Sequence, residues 1–411
     1  MHEFRRSMQG FLQNKWQHTW VITCLVLMAV GLVFSRALLS VASVAIAVPW
    51  FFAGKEKQDI RNELAGILLI MLPVLYSGIW SDDTAEWKKT LEVRIPMITL
   101  LLGIRSMRYT VAQWLQVGIG YTAVIAVGCI WSLCMYVADA HTIHAAYLKA
   151  KVLPTLADHD YVRFSWMVVL AVWIACKAWQ MTSSRKERYV WTAFAVFFVV
   201  YLHILAAKTG LLCLYTGAFV YIIHLLWIRK QWKYAVTILV LLLLLSVTAY
   251  QLLPTLRNRV QYVQYDFSLY AANGSAPGYN DAARWLSVKA GYHILRDHPL
   301  SGVGFGDMRK AVNDWHNNWH PQSLSYERFL PACEWMVYGA GSGWPGMLLF
   351  SAGICLVLFT TTRRNILSVI IMLTALIPVV FDDTLEGQLG VTILAFIAFF
   401  VQNEPARPER K

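Results

Sequence analysis

Apolar residues fill this chain in continuous blocks. Leu239 to Leu245 reads LVLLLLL, and comparable runs lie near 20–35, 37–53, 64–80, 95–110, 112–137, 162–181, 189–206, 208–228, 234–252, 335–360, 366–381 and 389–402. Each is about 15 to 25 residues long, the length a helix needs to cross a bilayer. Closed β-barrels are the other architecture that satisfies every backbone group in lipid, but their strands alternate apolar and polar residues. The pattern predicts an all-α polytopic membrane protein with about twelve transmembrane helices. The fourth run is shortened by Arg105 and Arg108.

The polar positions between the runs set the orientation. With the N-terminus in the cytoplasm, the cytoplasmic segments hold Arg5, Arg6 and Lys15; Lys55, Lys57 and Arg61; and Arg105 and Arg108. Further along they hold Arg185, Lys186 and Arg188; Arg229, Lys230 and Lys233; Arg363 and Arg364; and Arg407, Arg410 and Lys411. The opposite loops are poorer in cations, and Phe381 to Gln388, FDDTLEGQ, has none. This is the positive-inside pattern, and it places both termini in the cytoplasm. Phe4, Met8, Phe11, Leu12 and Trp16 recur at helical spacing among basic residues, which suits a helix in the cytoplasmic interface; a frayed tail is the alternative.

Composition narrows this further. Of 411 residues, 57% are hydrophobic and 15% charged, against about 25% charged in soluble domains. The formal charge of +12 is spread through the cytoplasmic loops. It forms no single clustered face, so nucleic acid is not expected as a partner. Six of the seven cysteines lie inside apolar runs, only Cys333 lies near a loop, and no CxxC occurs, so neither a disulfide framework nor a zinc site is indicated. The first run is followed by Ser35-Arg36 and reads as a retained anchor, not a cleaved signal peptide.

One connection is long. It divides the chain into a first membrane bundle (1–252, nine spans), an outer loop domain (253–334) and a second bundle (335–411, three spans). The loop contains AANGSAPGYN, then a helix expected over 281–296 with Asn280 or Asp281 as cap and Trp285, Val288, Tyr292 and Leu295 as its apolar stripe. His298-Pro299 ends that helix, and GVGFGD follows.

Four elements can carry chemistry, each with a plainer reading. Lys208, in AAKTG at the outer mouth of the eighth run, either snorkels to lipid phosphates or holds an anionic substrate. Arg284, in the first turn of the loop helix, is either a surface cation or a bidentate phosphate ligand beside free helix N–H groups. SGVGFGD follows no strand, so its glycines suit a tight turn where backbone packs on backbone, not a dinucleotide fold. Glu334 marks the re-entry into the membrane as a boundary residue or a base. A fifth stretch, NDWHNNWHPQ over 313–322, crowds His316 and His320 among Trp315 and Trp319. Pro321 and the two tryptophans argue against a regular helix there, and no carboxylate–histidine motif completes a metal set. The tryptophans suit a membrane interface or stacking on a sugar ring.

In this order, the KTG opening a span, the long loop with Arg284-Trp285 to Ala290, HPLSGVGFGD, and the proline-led re-entry LPACEWMVYGAGSGWPG resemble the O-antigen ligase and polymerase superfamily. The resemblance implies a glycosyltransferase-C-like membrane bundle in the inner membrane. Such an enzyme takes a glycan from a polyprenyl diphosphate and passes it, on the periplasmic side, to a sugar hydroxyl of a lipid A-core or growing glycan. It implies Lys208 and Arg284 as diphosphate-binding residues, with no cofactor and no metal. Fixed cations would stabilise the charge that develops on the leaving diphosphate. Ligases of this type usually carry His-Asn after the re-entry proline, where this chain has Ala332 and Cys333. Three explanations stand: Glu334 is the base, His316 or His320 supplies it, or the chemistry is changed or lost. A transporter of lipid-linked glycans would need ionisable groups near the midplane, and Lys177, His203 and His224 are the few candidates. A relative that binds glycan without catalysis is the other rival.

Overall fold

The computed structural model of the chain describes residues 2–54, 57–148, 151–157, 160–273, 280–359 and 365–403, with the side chains of 2–14 outside the description. Among these residues the regular elements are all helical. The order is α1 (His2–Phe34), α2 (Arg36–Ala45), α3 (Val48–Phe52), α4 (Arg61–Ser77), α5 (Thr84–Arg105), α6 (Val111–Ala138), α7 (Ala140–Tyr147), α8 (Tyr161–Met181) and α9 (Arg185–Leu205). Then come α10 (Lys208–Ile223), α11 (Trp232–Leu252), α12 (Pro254–Asn273), α13 (Asn280–Asp297), α14 (Met308–Trp319), α15 (Glu334–Phe359), α16 (Ile366–Phe381) and α17 (Gln388–Phe396). Single π-helical turns extend α10 to Ile228 and α17 to Val401. The interfacial face proposed from Phe4, Met8, Phe11 and Leu12, the loop core 274–279, and the basic residues Lys55, Arg363, Arg364, Arg407, Arg410 and Lys411 lie outside the described residues.

Helix stands in each of the twelve apolar runs, and among the described residues seven segments are long and apolar enough to cross a membrane. The centre post is α8, buried from Phe164 to Ala175 and packed on α6, α9, α10 and α16. At the other extreme, α11 buries only Ala235 and Ala249 and exposes leucines and valines all round, as a lipid-facing helix does. Side-chain contacts sort the connections into two ends. Trp20 bonds Ala45 O, Gln113 meets His18, and Arg105 pairs with Glu63 at one end. Arg163, Arg284 and Arg309 meet carboxylates of other connections at the end that carries 253–333, called here the loop face.

The run 335–360, expected as one span, is a hairpin. Gly343 has φ +71° and ψ −173°, a conformation essentially closed to residues with a Cβ. Trp335 Nε1 donates to Ser351 Oγ at 2.9 Å, and the rings of Tyr338 and Phe350 stack at 4.0 Å. Residues that far apart in sequence meet only if the helix folds back at its glycine. The arm 334–342 therefore rises toward the loop face and 344–359 descends beside it, against α4. The continuous hydropathy of the run hides the reversal. Glu334, at the foot of the rising arm, lies deep in the bundle.

HPLSGVGFGD locks the apex of this hairpin. Val303 and Gly304 donate their N–H groups to Ala340 O and Gly341 O at 2.9 and 3.0 Å, and Trp344 N reaches Pro299 O at 2.8 Å. Gly302 (φ +63°) leaves no room for a Cβ, which would stand 2.3 Å from Ser342 N. Asp307 closes the motif by accepting from Asp82 N and Asp83 N at 2.8 and 3.2 Å. Backbone does pack on backbone, and it ties the loop to the α4–α5 connection. A Gly343→Ala chain is expected to lose thermal stability by several degrees in detergent, since its Cβ would stand 2.6 Å from Leu300 C and Pro299 O and the strained backbone alone costs roughly 1–3 kcal/mol. Gly54→Ala, at a position with nothing within 4 Å, is the control. Equal melting of the two variants would refute the hairpin.

Two local expectations are corrected. The buried face of α13 is Ala282, Ala283, Leu286, Ser287, Ala290, Gly291, Ile294 and Leu295, while Trp285 and Tyr292 are exposed. Small residues face the hairpin because the chain approaches closely there: a Cβ on Gly291 would stand 2.8 Å from Pro331. Hydropathy favoured the large side chains Trp285 and Tyr292, which face out, and of the expected stripe only Leu295 is fully buried. The stretch through His316 is helical, since α14 runs to Trp319, and Pro321 lies just beyond its end, where proline no longer interferes.

The candidate midplane groups are structural. Lys177 donates to Val401 O and Asn403 O at 2.5 and 3.2 Å, a cation at a helix C-terminus. His203 bonds Val199 O and the Tyr215 hydroxyl, each at 2.7 Å.

Candidate functional site

Ala206 adopts a left-handed conformation (φ 50°) that ends α9. The chain turns there, and α10 starts at Lys208 on the loop face. The Lys208 ammonium pairs with Asp281 at the start of α13. Arg259 and Arg284 lie close enough for their charges to act on it. Arg259 is buried on α12 under Tyr262, 5.1 Å from guanidinium to ring. Its Nε and Nη1 have no hydrogen-bond partner among the described residues. A buried guanidinium left this way is costly, and a ligand anion would relieve it.

The free N–H groups expected at the head of α13 are filled. Asp266 accepts from Asp281 N and Ala282 N at 2.9 and 3.2 Å. Its carboxyl is raised above the ordinary value by burial first, against these two bonds. An internal carboxylate thus stands where an anion would dock.

Arg284 Nη1 donates to Asp382 Oδ1 at 2.7 Å. Asp382 opens the segment 382–386, which gathers Arg163, Arg94 and Glu334 as well as Arg284. Arg163 donates to Asp383 O at 3.2 Å and to Asp160 Oδ2 at 2.7 Å. Leu385 N donates to a Glu334 carboxylate oxygen. Glu386 Oε1 accepts from Arg94 at 2.5 Å, and Arg94 also reaches Thr90 O at 2.8 Å and the Tyr338 hydroxyl at 3.3 Å. Arg94 is fully buried. Ten residues below Thr84, it lies ~15 Å down α5, about half the hydrocarbon thickness.

Of the candidates read from sequence, two stand together, and the third is enclosed behind them. Lys208 and Arg284 share one electrostatic neighbourhood, and Glu334 joins Arg284 through the backbone of 382–385. Glu334 is itself enclosed, at 0% exposure, with its second oxygen unpartnered among the described residues. Ala332 donates its N–H to Ser287 Oγ at 3.0 Å, one turn from Arg284.

His316 and His320 stand elsewhere. They pack with Trp315, at 5.1 and 5.2 Å between rings, and His293 stacks on Trp315 and Trp319. His316 is buried, with Nδ1 at 3.2 Å from Ser323 Oγ. Burial, then Arg328 and His320, lowers its pKa to about 4, so it is neutral at working pH. This cluster packs on Leu286 and Ala290, while Arg284, Ser287 and Gly291 meet the hairpin side. No described contact joins the histidines to Arg284 or Glu334. Among the described residues no group of three or more metal-ligating side chains occurs.

The sequence reading missed Arg94, Arg163, Asp382, Asp383 and Glu386. A signal existed in FDDTLEGQ. Three carboxylates between two apolar runs, with no cation among them, must find partners on other elements.

Asp383 differs from the other acids. It lies in the connection between α16 and α17, its side chain is 32% exposed, and its carboxyl is held well above the ordinary value. Burial of its surroundings is the first cause and Asp382 the second, against Arg163 and Arg284.

No curated protein matches the chain. Residues 193–351, from α9 through the loop domain to the hairpin, match the family model described as O-antigen ligase. That stretch contains Lys208, Arg259, Arg284, HPLSGVGFGD and Glu334, and through it the chain is similar to the O-antigen ligase superfamily of membrane glycosyltransferase-like enzymes.

Proposed function

We propose that this protein is an O-antigen ligase-like glycosyltransferase of the inner membrane. It transfers a glycan from a polyprenyl diphosphate to a sugar hydroxyl of a lipid A-core on the periplasmic side, where 253–334 forms the loop domain between bundles 1–252 and 335–411. The observation that carries the reading is the meeting of Lys208, Arg259 and Arg284 at one end of the bundle, with two nitrogens of Arg259 unpartnered among the described residues. Such a site suits a diphosphate. As the glycosidic C–O bond breaks, the leaving diphosphate gains charge, and preorganised cations in a water-poor site stabilise it. The acceptor oxygen forms the new bond and gives up its proton.

Asp383 is the group the geometry favours as proton acceptor. It is partly open, it adjoins Asp382 on Arg284, and its raised pKa makes it a stronger base than an ordinary carboxylate. Glu334, enclosed beneath it, holds Leu385 and so shapes the segment. His316 and His320 are left to pack the aromatic face of the loop domain.

The same superfamily includes polymerases that join repeat units, and these form the second reading. The test is a gel of surface and lipid-linked glycans from cells lacking the protein. Long chains trapped on the lipid carrier, with bare lipid cores, are the expected result. Single repeat units on the core would instead mean a polymerase, and an unchanged profile would overturn both. Complementation with Asp383→Asn is expected to leave the null profile. Normal glycans from that variant would remove Asp383 from the mechanism.

A further inference from the structure

The transferase reading leaves one charged cavity unused. Beside the 382–387 segment lies a cleft of about 230 Å³, bordered by Arg36, Lys89, Arg163 and Arg309 on four different connections or helices of the loop face. Glu86, Asp383 and Glu386 also line it. Glu386 is engaged from behind by Arg94 and Arg163 by Asp160, and at the rim two cations, Lys89 and Arg309, share one carboxylate, Glu86. The balance favours an anion. Two cations at the rim are open to solvent: Lys89 is 66% exposed and Arg309 59%, and they contact Glu86 at 3.3 and 3.9 Å. Exposed pairs of this length contribute little, so a better anion can draw these side chains away from Glu86.

The position gives the cleft a role. Asp382 touches Arg284 on the diphosphate side, while Asp383, the next residue, touches Arg163 on the cleft side. One dipeptide therefore separates the donor cations from the cleft. A molecule seated in the cleft presents its hydroxyl groups to Asp383. The geometry points to the cleft as the acceptor subsite, taking an anionic group, phosphate or carboxylate, borne by a sugar of the acceptor. This inference rests on the transferase reading above, and it adds what that reading lacks, a charge requirement on the acceptor.

The test uses the full-length protein in phosphatidylcholine nanodiscs, with glucose 6-phosphate and glucose as probes. Glucose 6-phosphate is expected to bind and glucose not to. Binding should weaken as salt rises, fall at least tenfold in a Lys89→Gln/Arg309→Gln chain, and persist in an Arg284→Ala chain. In a transfer assay the double variant is expected to raise KM for a phosphorylated acceptor with kcat little changed. Equal binding of both sugars, or binding unaltered by the double variant, overturns the proposal. So does loss with Arg284→Ala alone, because the anion would then sit at the donor cations. If nanodiscs containing phosphatidylglycerol abolish sugar-phosphate binding through the same two cations, the cleft is a lipid headgroup site and the proposal also fails. The transferase reading is judged separately, by the glycan gel.

Discussion

An Arg284→Ala chain is expected to lose glycan transfer by roughly 100-fold or more while remaining folded. The guanidinium is the one diphosphate candidate whose side chain is both open, at 34% exposed, and fixed by a 2.7 Å bond to a buried carboxylate. Its removal leaves Asp382 near Arg163, which lies close enough to hold its charge, so the hub keeps one cation and the fold survives. Arg284→Lys is expected to recover only part of the activity, because an ammonium offers no planar fork to a phosphate. Lys208→Ala should act in the same direction. Its partner Asp281 lies at the head of α13, where the helix dipole favours a negative charge. Transfer measured with purified protein, lipid-linked donor and acceptor decides the matter. Wild-type rates from folded Arg284→Ala protein would remove the diphosphate site from this face.

The second large effect concerns stability. Arg94→Met is expected to destabilise the protein by about 3–5 kcal/mol, the usual consequence of removing one member of a buried ion pair. Glu386 would be left 11% exposed without its partner, and Glu334, fully enclosed, would lose the nearest positive charge. Adding Glu386→Gln is expected to restore part of the loss, because a neutral amide no longer needs the cation. Thermal unfolding in detergent reads this as a large fall in melting temperature for the single variant and a smaller one for the double. A single variant that melts with the wild type would show that the pair does not hold the core. A double variant no better than the single would show that Glu386 is not its main creditor.

How far these features were legible in the sequence depends on the distance over which each is built. Membrane class, helical content and the positions of the apolar runs are local properties, and each run contains a helix. HPLSGVGFGD was readable as a tight backbone turn because three alternating glycines leave few other uses. Lys208 stood out because charge at the mouth of an apolar run is rare, and Arg284 because it lies in the first turn of a helix read from its cap and stripe. The hairpin was not readable. Apolar residues continue through the reversal, and only GAGSGWPG around Gly343 hints at it. The hub was not readable either, since Arg94 and Glu386 lie 292 residues apart and no local pattern pairs them. His316 misled for the opposite reason: a histidine beside tryptophan looks reactive in a line of letters, yet here the tryptophan is what encloses it.

The hairpin also imposes an order on synthesis. The arm 334–342 is far shorter than the roughly 20 residues that hold a helix in lipid alone, and it starts with a glutamate. When the ribosome has just made it, nothing in the bilayer compensates that carboxylate except Arg94 and the α4 wall, both made long before. The loop that clamps its apex, 299–304, has also emerged by then. The partner that holds Glu334 through Leu385 N, and the Glu386 that balances Arg94, are still to come. Until the chain passes residue 386 this set of buried charges is incomplete, so the candidate site assembles last, after most of the bundle is already in the membrane. A nascent chain cut short before FDDTLEGQ would carry every residue of the matched family stretch and still have no finished site.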